Sequence, residues 1–215
     1  MAAAHDRVRE KENFDFDWKF ILNADDRANA GMQVSEAGWQ DVQLPHDWSI
    51  SQNFDPKLSG SNGHLPGGIG WYRKTFRVDK KDKGRRIAVL FDGIYSRSDV
   101  YVNGQHLGFR PYGFCYQEHD LTPYLNYGAE NVLAVRVNNP LEHDSVARWY
   151  TGAGIYRHAW LVKTAEVHVA SYGTYVTTPV VTAERAEVRV RASVANEAKR
   201  TKTLSVRQQI TDGEG

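Results

Sequence analysis

The chain has 215 residues, 41% of them hydrophobic and 25% charged, and its 27 basic and 26 acidic side chains give a formal net charge of +1. This near-neutral net charge gives no indication of the excess positive charge that is typical of nucleic-acid-binding proteins. No run approaches the ~18 apolar residues of a membrane span, and residues 1–16 hold no apolar signal-peptide core, so we expect no membrane partner and a cytoplasmic or periplasmic protein.

The length allows one large domain or two modest ones, at roughly 100–200 residues each, and we interpret it as two. Cys115 is the single cysteine, which excludes an internal disulfide. Stability must therefore come from a buried core, and we expect Cys115 to be a buried packing thiol.

Strands are predicted in the middle of the chain, where residues 71–78 have the sequence WYRKTFRV and residues 86–93 have RIAVLFDG. Residues 98–109 follow with SDVYVNGQHLGF. There, Asn103-Gly104 separates two alternating runs, which is the strongest short signal for a β-hairpin.

Two further strands are predicted downstream. Residues 131–138 place Leu133, Val135 and Val137 on one face, and residues 155–162 form an apolar run of similar length. The helical period is absent throughout. We therefore predict an all-β fold.

Two connections are longer than an all-β domain usually tolerates. They comprise residues 49–70, rich in Gly, Ser, Asn and Pro, and residues 139–154, which contain charged and aromatic side chains. Structureless segments of this length are usually functional or disordered. The composition of the second favours an ordered, functional segment.

The character of the sequence changes after Lys163. Val188, Val190, Ala192 and Val194 alternate with charged residues, as a one-sided antiparallel sheet requires. About 50 residues remain, against the ~100 of an immunoglobulin-type sandwich. We predict the first strands of a second, truncated β-sandwich at residues 165–215.

The segment RWYTGAGIYRHAWL at 148–161 combines two arginines, several aromatic rings and a Gly-Ala-Gly turn. Tyr and Trp faces stack on the C–H face of a sugar, and Arg binds hydroxyls in fixed geometry. These residue types favour a sugar-binding segment. The same sequence also fits a strand with a well-packed aromatic edge.

Two polar clusters are candidates for a site. His46-Asp47-Trp48 is either a ligand-facing triad or a structural hydrogen-bonded unit, and no nucleophilic serine accompanies it. Glu142, His143 and Asp144 form either a metal site or a charged loop tip. Because no second cluster has ligand spacing, we predict no tightly bound metal.

Several motifs resemble the amino-terminal region of glycoside hydrolase family 2, the group of β-galactosidases, β-glucuronidases and β-mannosidases. They occur in the family's order and spacing, and they are LPHDW at 44–48, GWYRKTF at 70–76, FDGIYSRSDVYVNGQHLG at 91–108, DLTPYL at 120–125, NVLAVRVNN at 131–139 and RWYTGAGIYRHAWL at 148–161. The resemblance implies a jelly-roll, galactose-binding-like β-sandwich over residues 12–164, followed by an immunoglobulin-like domain over 165–215.

The resemblance also implies that catalysis occurs elsewhere. In this family two glutamates on a (β/α)₈ barrel carry out retaining hydrolysis. A barrel needs roughly 250 residues and eight strand-helix repeats, which this chain lacks. Asn196-Glu197 imitates the family's acid/base pair, but lies between predicted strands at 187–195 and 203–210, so we interpret it as a solvated hairpin turn.

Site residues implied by the resemblance lie mainly on the second long loop, which in family members reaches the barrel mouth. Arg148 is the main candidate for substrate contact, followed by Asp144, and the remaining candidates are Trp149, Tyr150, His46 and Asp47. Some β-galactosidases have a sodium-binding aspartate where this chain has Ala147, and a sugar-contacting asparagine where it has a glycine of PGGIG. These departures weaken the prediction of a galactose preference and of a sodium site.

Two functions follow as alternatives. The first is the non-catalytic amino-terminal portion of an exo-β-glycosidase, β-galactosidase-like, which shapes the substrate site of the barrel and supports subunit contacts in a homo-oligomer. The second is a free-standing carbohydrate-binding lectin. A third, purely structural alternative is a β-sandwich scaffold with no ligand site. The chain itself is expected to need no cofactor and to be inactive alone, and the resemblance implies Na⁺ or Mg²⁺ as candidate ions for the parent enzyme.

Two further structural features are predicted, one for Asp47 and one for Trp160. Asp47 is predicted to pair with a buried or half-buried cation, either Arg73 or Arg157. Trp160, within the last jelly-roll strand, is expected to be a core residue whose loss costs about 3–5 kcal/mol of stability.

Overall fold

A computed structural model describes residues 9–22, 24–60, 63–140 and 149–212. The chain divides into two compact units, Glu10–Lys163 and Thr164–Gly215, the second together with Met1–Arg9. Regular structure in the described ranges consists of β-strands and short 3₁₀ turns, so the all-β prediction is confirmed. No helix in these ranges is long and apolar enough to cross a membrane.

Two antiparallel sheets form the larger unit. One has six strands in the order β3-β2-β4-β9-β6-β7, and the other has four in the order β1-β10-β5-β8. The strands are β1 (Arg9–Asn13), β2 (Trp18–Leu22), β3 (Gln40–Val42), β4 (Gly68–Arg77), β5 (Arg86–Phe91), β6 (Ser98–Val102), β7 (Gln105–Arg110), β8 (Gln117–Asp120), β9 (Glu130–Asn139) and β10 (Ala159–Thr164). This arrangement agrees with the predicted jelly-roll sandwich.

The core of this unit lies between the two sheets. On β9 the alternating side chains of Leu133, Val135 and Val137 are fully buried, as the sequence pattern predicts. They pack in one cluster with apolar side chains of the four-stranded sheet, namely Ile87, Val89, Phe91, Ala159 and Leu161. Burial of this continuous apolar layer is the main source of stability in a domain that has no disulfide.

The predicted hairpin is confirmed at β6 and β7. Asn103 has φ 51° and Gly104 has φ 83°, so both central residues of the turn adopt the left-handed conformation. That conformation matches the twist of paired strands, and Asn and Gly tolerate it better than other residues. Asn103 is also held in place because its Nδ2 donates to Asn131 Oδ1 at 2.8 Å.

The strand predicted at 155–162 begins later, at Ala159. Residues 155 and 158 use their backbone groups in other contacts: Ile155 O accepts from His46 N at 2.8 Å, and His158 O accepts from Asp92 N at 2.9 Å. These bonds join loops at one end of the sandwich. The segment therefore joins the sheet only after this junction.

The second unit contains a two-stranded antiparallel sheet, β11 (Val167–Val181) with β12 (Ala186–Asn196). The prediction of a further strand at 203–210 is wrong, because no strand occurs in residues 197–212. Leu204, Val206 and Ile210 are exposed there. A strand needs a neighbour to pair its backbone groups, and alternation alone does not supply one.

Two predicted core residues are only partly buried. Cys115 is half-buried, because it lies in the turn between β7 and β8 and not on a strand face. Trp160 lies on β10 as predicted, but its ring is half-buried under Lys11, and its Nε1 donates to Asp92 Oδ2 at 2.8 Å. The expected stability loss on removing this ring is therefore smaller than for a core tryptophan.

The stability of the chain should decrease between pH 6.5 and 4 because of His119 on β8. Burial, aided by the charges of Arg110 and His106, lowers the pKa of His119 from 6.5 to about 4. At pH 5 the unfolded state therefore binds a proton at this histidine, whereas the folded state largely does not. The free energy of unfolding at pH 5 should consequently be about 2 kcal/mol lower than at pH 7. Urea unfolding of the wild type and His119→Gln at pH 7 and pH 5 checks this, since the variant should lose that part of the pH dependence. Equal pH dependence in both proteins would contradict it.

Candidate functional site

The segment His46–Trp48 is anchored at one end of the sandwich. His46 N donates to Ile155 O at 2.8 Å, and Trp48 N donates to Ala153 O at 3.1 Å. The Trp48 ring is buried and stacks on Phe20, with centroids 5.6 Å apart. These contacts bind LPHDW to the GAGI part of the second long loop, so two motifs distant in sequence form one junction.

Asp47 is the centre of this junction. Its Oδ1 accepts from Ser49 N at 2.9 Å and from Ala153 N at 3.0 Å. Its Oδ2 accepts from the Tyr150 hydroxyl at 2.5 Å. One half-buried carboxylate thus fixes the local turn after Trp48, the backbone of the Gly-Ala-Gly segment and the ring of Tyr150.

The prediction that Asp47 pairs with Arg73 or Arg157 is wrong. Arg73 is buried but pairs with Glu36 at 3.0 Å and donates to the carbonyl oxygens of Asn29 and Gly31. Arg157 is exposed, and Asp47 forms no ion pair within the described ranges. Backbone N–H groups supply the donors instead, as they do for carboxylates in Asx turns.

Two neighbouring groups are kept uncharged. Burial, together with the hydrogen bond and charge of Asp47, raises the pKa of Tyr150, so its hydroxyl remains a donor. Burial lowers the pKa of His46, against an opposing effect of Asp47. His46 Nδ1 is hydrogen-bonded to the hydroxyl of Tyr72 at 2.8 Å, so its ring is part of the support of this site.

Gly154 makes the closest backbone approach in the junction. It has φ 122°, and it forms a two-bond antiparallel bridge with Tyr95, at 2.9 Å and 2.8 Å. A Cβ at this position would lie less than 3.0 Å from the Tyr72 hydroxyl and 2.6 Å from the carbonyl oxygen of His46. Only glycine fits this position without displacing buried groups.

The aromatic residues preceding this turn face solvent. Trp149 is 62% exposed and Tyr150 is 38% exposed, although Tyr150 is fixed through its hydroxyl. An exposed indole beside an oriented phenol is suited to stacking on a sugar ring. Of the two alternatives for this segment, the placement of these rings favours the sugar-binding one over the packed aromatic edge.

Four candidate residues lie outside the described residues, namely Glu142, His143, Asp144 and Arg148. Their predicted roles in metal or substrate binding therefore remain predictions. Within the described ranges, no group of three or more His, Cys, Asp or Glu side chains could hold a metal ion.

Two residues that support this site, Asn139 and Tyr72, are not recognisable as site residues from the sequence. Asn139, the last residue of β9, is buried, and its Nδ2 donates to Gly152 O at 3.2 Å. Tyr72 is buried on β4 and reaches the junction through its hydroxyl. Both appear in the sequence as ordinary strand residues. For Asn139 the one sign in the sequence is its position, a polar residue just after the alternating run that ends at Val137.

The junction holds a rigid backbone turn and presents two aromatic rings and a carboxylate already engaged with three donors. It has no pair of free carboxylates at the separation that glycoside hydrolysis requires. Among the described residues, the junction therefore provides an exposed indole and an oriented phenol on a fixed turn, but no acid/base and nucleophile pair.

Comparison with known families gives a match over most of the chain. The sugar-binding domain of glycosyl hydrolases family 2 matches residues 12–165. The β-galactosidase BoGH2A of Bacteroides ovatus is 44% identical over 96% of this chain. A β-glucuronidase of Formosa agariphila is 33% identical, also over 96% of this chain. The chain spans about a quarter of the length of these curated relatives, 24% and 23% respectively.

Solved structures give the same result at the level of the fold. The crystal structure of a β-glycosidase from Bacteroides vulgatus superposes on 89% of this chain with a TM-score of 0.80 at 34% identity, and the match covers 25% of that protein. A glycosyl hydrolase family 2 member from Bacteroides cellulosilyticus matches 86% of this chain with a TM-score of 0.77 and 41% identity.

Proposed function

Because this chain belongs to glycosyl hydrolase family 2 and carries its sugar-binding domain, we propose that it is the non-catalytic amino-terminal portion of an exo-acting β-glycosidase of the β-galactosidase type. Its role is to support one wall of a substrate site whose catalytic glutamates lie on a (β/α)₈ barrel. The 44% identity to a β-galactosidase supports this assignment.

The observation that carries the proposal is the fixation of residues 149–154 by Asp47. A carboxylate with three donors holds Tyr150 and the Gly-Ala-Gly turn, while the Trp149 ring is left 62% exposed. A scaffold segment needs no exposed indole beside such a rigid support. A segment that positions a sugar needs an aromatic surface that is accessible and already held in place, because preorganised groups lose less entropy on binding.

Free sugar should bind the isolated chain weakly. The described junction supplies two rings and few free hydrogen-bonding groups, so we expect a dissociation constant on the order of millimolar for methyl β-galactoside. Titration followed by amide chemical shifts should move the resonances of residues 46–48 and 149–154. Trp149→Ala should remove most of this response.

Tyr175→Ala is the matched control, since that ring is 64% exposed on β11 in the other unit. It should leave the titration unchanged. A micromolar dissociation constant would instead favour the free-standing lectin, because a complete site would then be present in this chain. No shift at 149–154 with any β-glycoside tested would contradict the proposed function.

A further inference from the structure

A second concave site lies beside the junction, lined by residues 95–97, 111–114 and 139–140. Its volume of about 180 Å³ is below the roughly 300–1,000 Å³ of pockets for drug-sized ligands. A space of this size is suited to a single ring. It is separate from the rings of Trp149 and Tyr150, neither of which lines it.

Aromatic side chains build one wall of the cavity. The rings of Tyr95 and Phe114 lie 5.1 Å apart, and those of Tyr112 and Phe114 lie 5.8 Å apart. Tyr112 is 60% exposed and Phe114 is 45% exposed. Exposed rings with fixed neighbours provide a stacking surface for the C–H face of a sugar.

The turn that carries these rings is itself fixed. Gly113 O accepts from the Tyr156 hydroxyl at 2.9 Å. Gly113 is buried, and a Cβ there would lie 3.1 Å from the carbonyl oxygen of Ile94 and closer still to the Tyr95 ring. The backbone of residues 111–114 is therefore packed against residues 94–95, which keeps the cavity open in one shape.

The charge of the lining is the most informative feature. Arg97 is the single formally charged residue among those that line the cavity. It is exposed, it adopts φ 44°, and its guanidinium forms no ion pair or hydrogen bond with the rest of the described chain. Strained backbone of this kind occurs preferentially at functional sites. A guanidinium forms paired hydrogen bonds with a carboxylate.

We propose that this cavity binds a uronic acid residue, with Arg97 holding its carboxylate and the Tyr112 and Phe114 rings packing against its pyranose ring. The inference rests on the proposed function only in taking the ligand to be a sugar. It names an acidic sugar as the ligand of this cavity.

Methyl β-glucuronide and methyl β-glucoside form a matched pair of probes, since they differ only at C6, where one carries a carboxylate. We expect the purified 215-residue chain to bind the glucuronide at least about tenfold more tightly, because a hydrogen bond to a charged group is worth one to two decades in affinity. Amide shifts should centre on residues 95–97 and 111–114. Added salt should weaken the glucuronide alone.

Arg97→Gln should abolish the preference for the glucuronide, and Arg97→Lys should retain part of it. Tyr112→Ala should weaken both probes. Arg185→Gln, on an exposed arginine of the other unit, should change nothing. Thermal unfolding of each variant ensures that only folded proteins are compared.

Equal affinity for the two probes, or a preference that survives in folded Arg97→Gln, would overturn the cavity proposal. Shifts confined to residues 149–154 would overturn it as well, yet leave the proposed function intact. The proposed function fails by a different result, the absence of any response at 149–154, which does not depend on Arg97.

Discussion

Gly154→Ala should be among the most destabilising single substitutions in this chain. The added methyl group would lie 2.6 Å from the carbonyl oxygen of His46 and 3.3 Å from the Trp48 ring, and even closer to the Tyr72 hydroxyl. Trp48 and Tyr72 are fully buried and have no room to move. The φ of 122° adds conformational strain. We expect a loss of about 3 kcal/mol or more, or roughly 10 °C in the unfolding midpoint.

Gly38→Ala separates the two causes. Gly38 has φ 82°, but a Cβ there meets no atom within 4 Å. Gly38→Ala therefore introduces the unfavourable backbone conformation without a steric clash, and it should lower the free energy of unfolding by only about 1 kcal/mol. Equal losses in the two variants, measured by thermal or urea unfolding, would show that the junction tolerates a methyl group and that its close packing has been overstated.

Asp47→Ala should have the second large effect. It removes the acceptor of two backbone N–H groups, those of Ser49 and Ala153, and of the Tyr150 hydroxyl. Hydrogen bonds to a charged group contribute roughly 1.5–3 kcal/mol each, and partial exposure lowers this, so we expect a total loss of about 3 kcal/mol. The same change should free Tyr150 and weaken the response of residues 149–154 to methyl β-galactoside.

The control for this substitution is Asp41→Ala. Asp41 forms an ion pair with Lys19 at 2.6 Å, but its side chain is 82% exposed. Exposed pairs contribute little to stability. No detectable shift is expected for Asp41→Ala, and an equally small shift for Asp47→Ala would refute the central position of Asp47 in the junction.

Much of the secondary structure of the larger unit can be predicted from the sequence, because it depends on preferences of residues that are close together in the chain. The Asn103-Gly104 turn and the alternation of Leu133, Val135 and Val137 depend on backbone preferences and on one buried face. Both are found as expected. The strand predicted at 203–210 also alternates, yet it does not form, since pairing depends on a partner that a sequence pattern cannot supply.

The site is less predictable for a related reason. Asp47 and Tyr150 are recognisable as candidates from their residue types. Their hydrogen bond, however, joins residues 103 positions apart in the sequence and depends on how two loops meet. The expectation of a cation for Asp47 fails because free backbone N–H groups leave no trace in a sequence. The cavity at Arg97 is likewise formed by turns whose proximity only the fold creates.

The central claim is that this chain is a sugar-binding region without its own catalytic pair. The most direct test is release of nitrophenol from β-galactoside, β-glucoside and β-glucuronide substrates by the purified 215-residue chain, produced in a host that lacks β-galactosidase and β-glucuronidase. Retaining hydrolysis in this family depends on two glutamates on a (β/α)₈ barrel, and the described residues form no such barrel, so we expect release at the background rate with every substrate. Turnover that rises in proportion to the amount of this chain would contradict it.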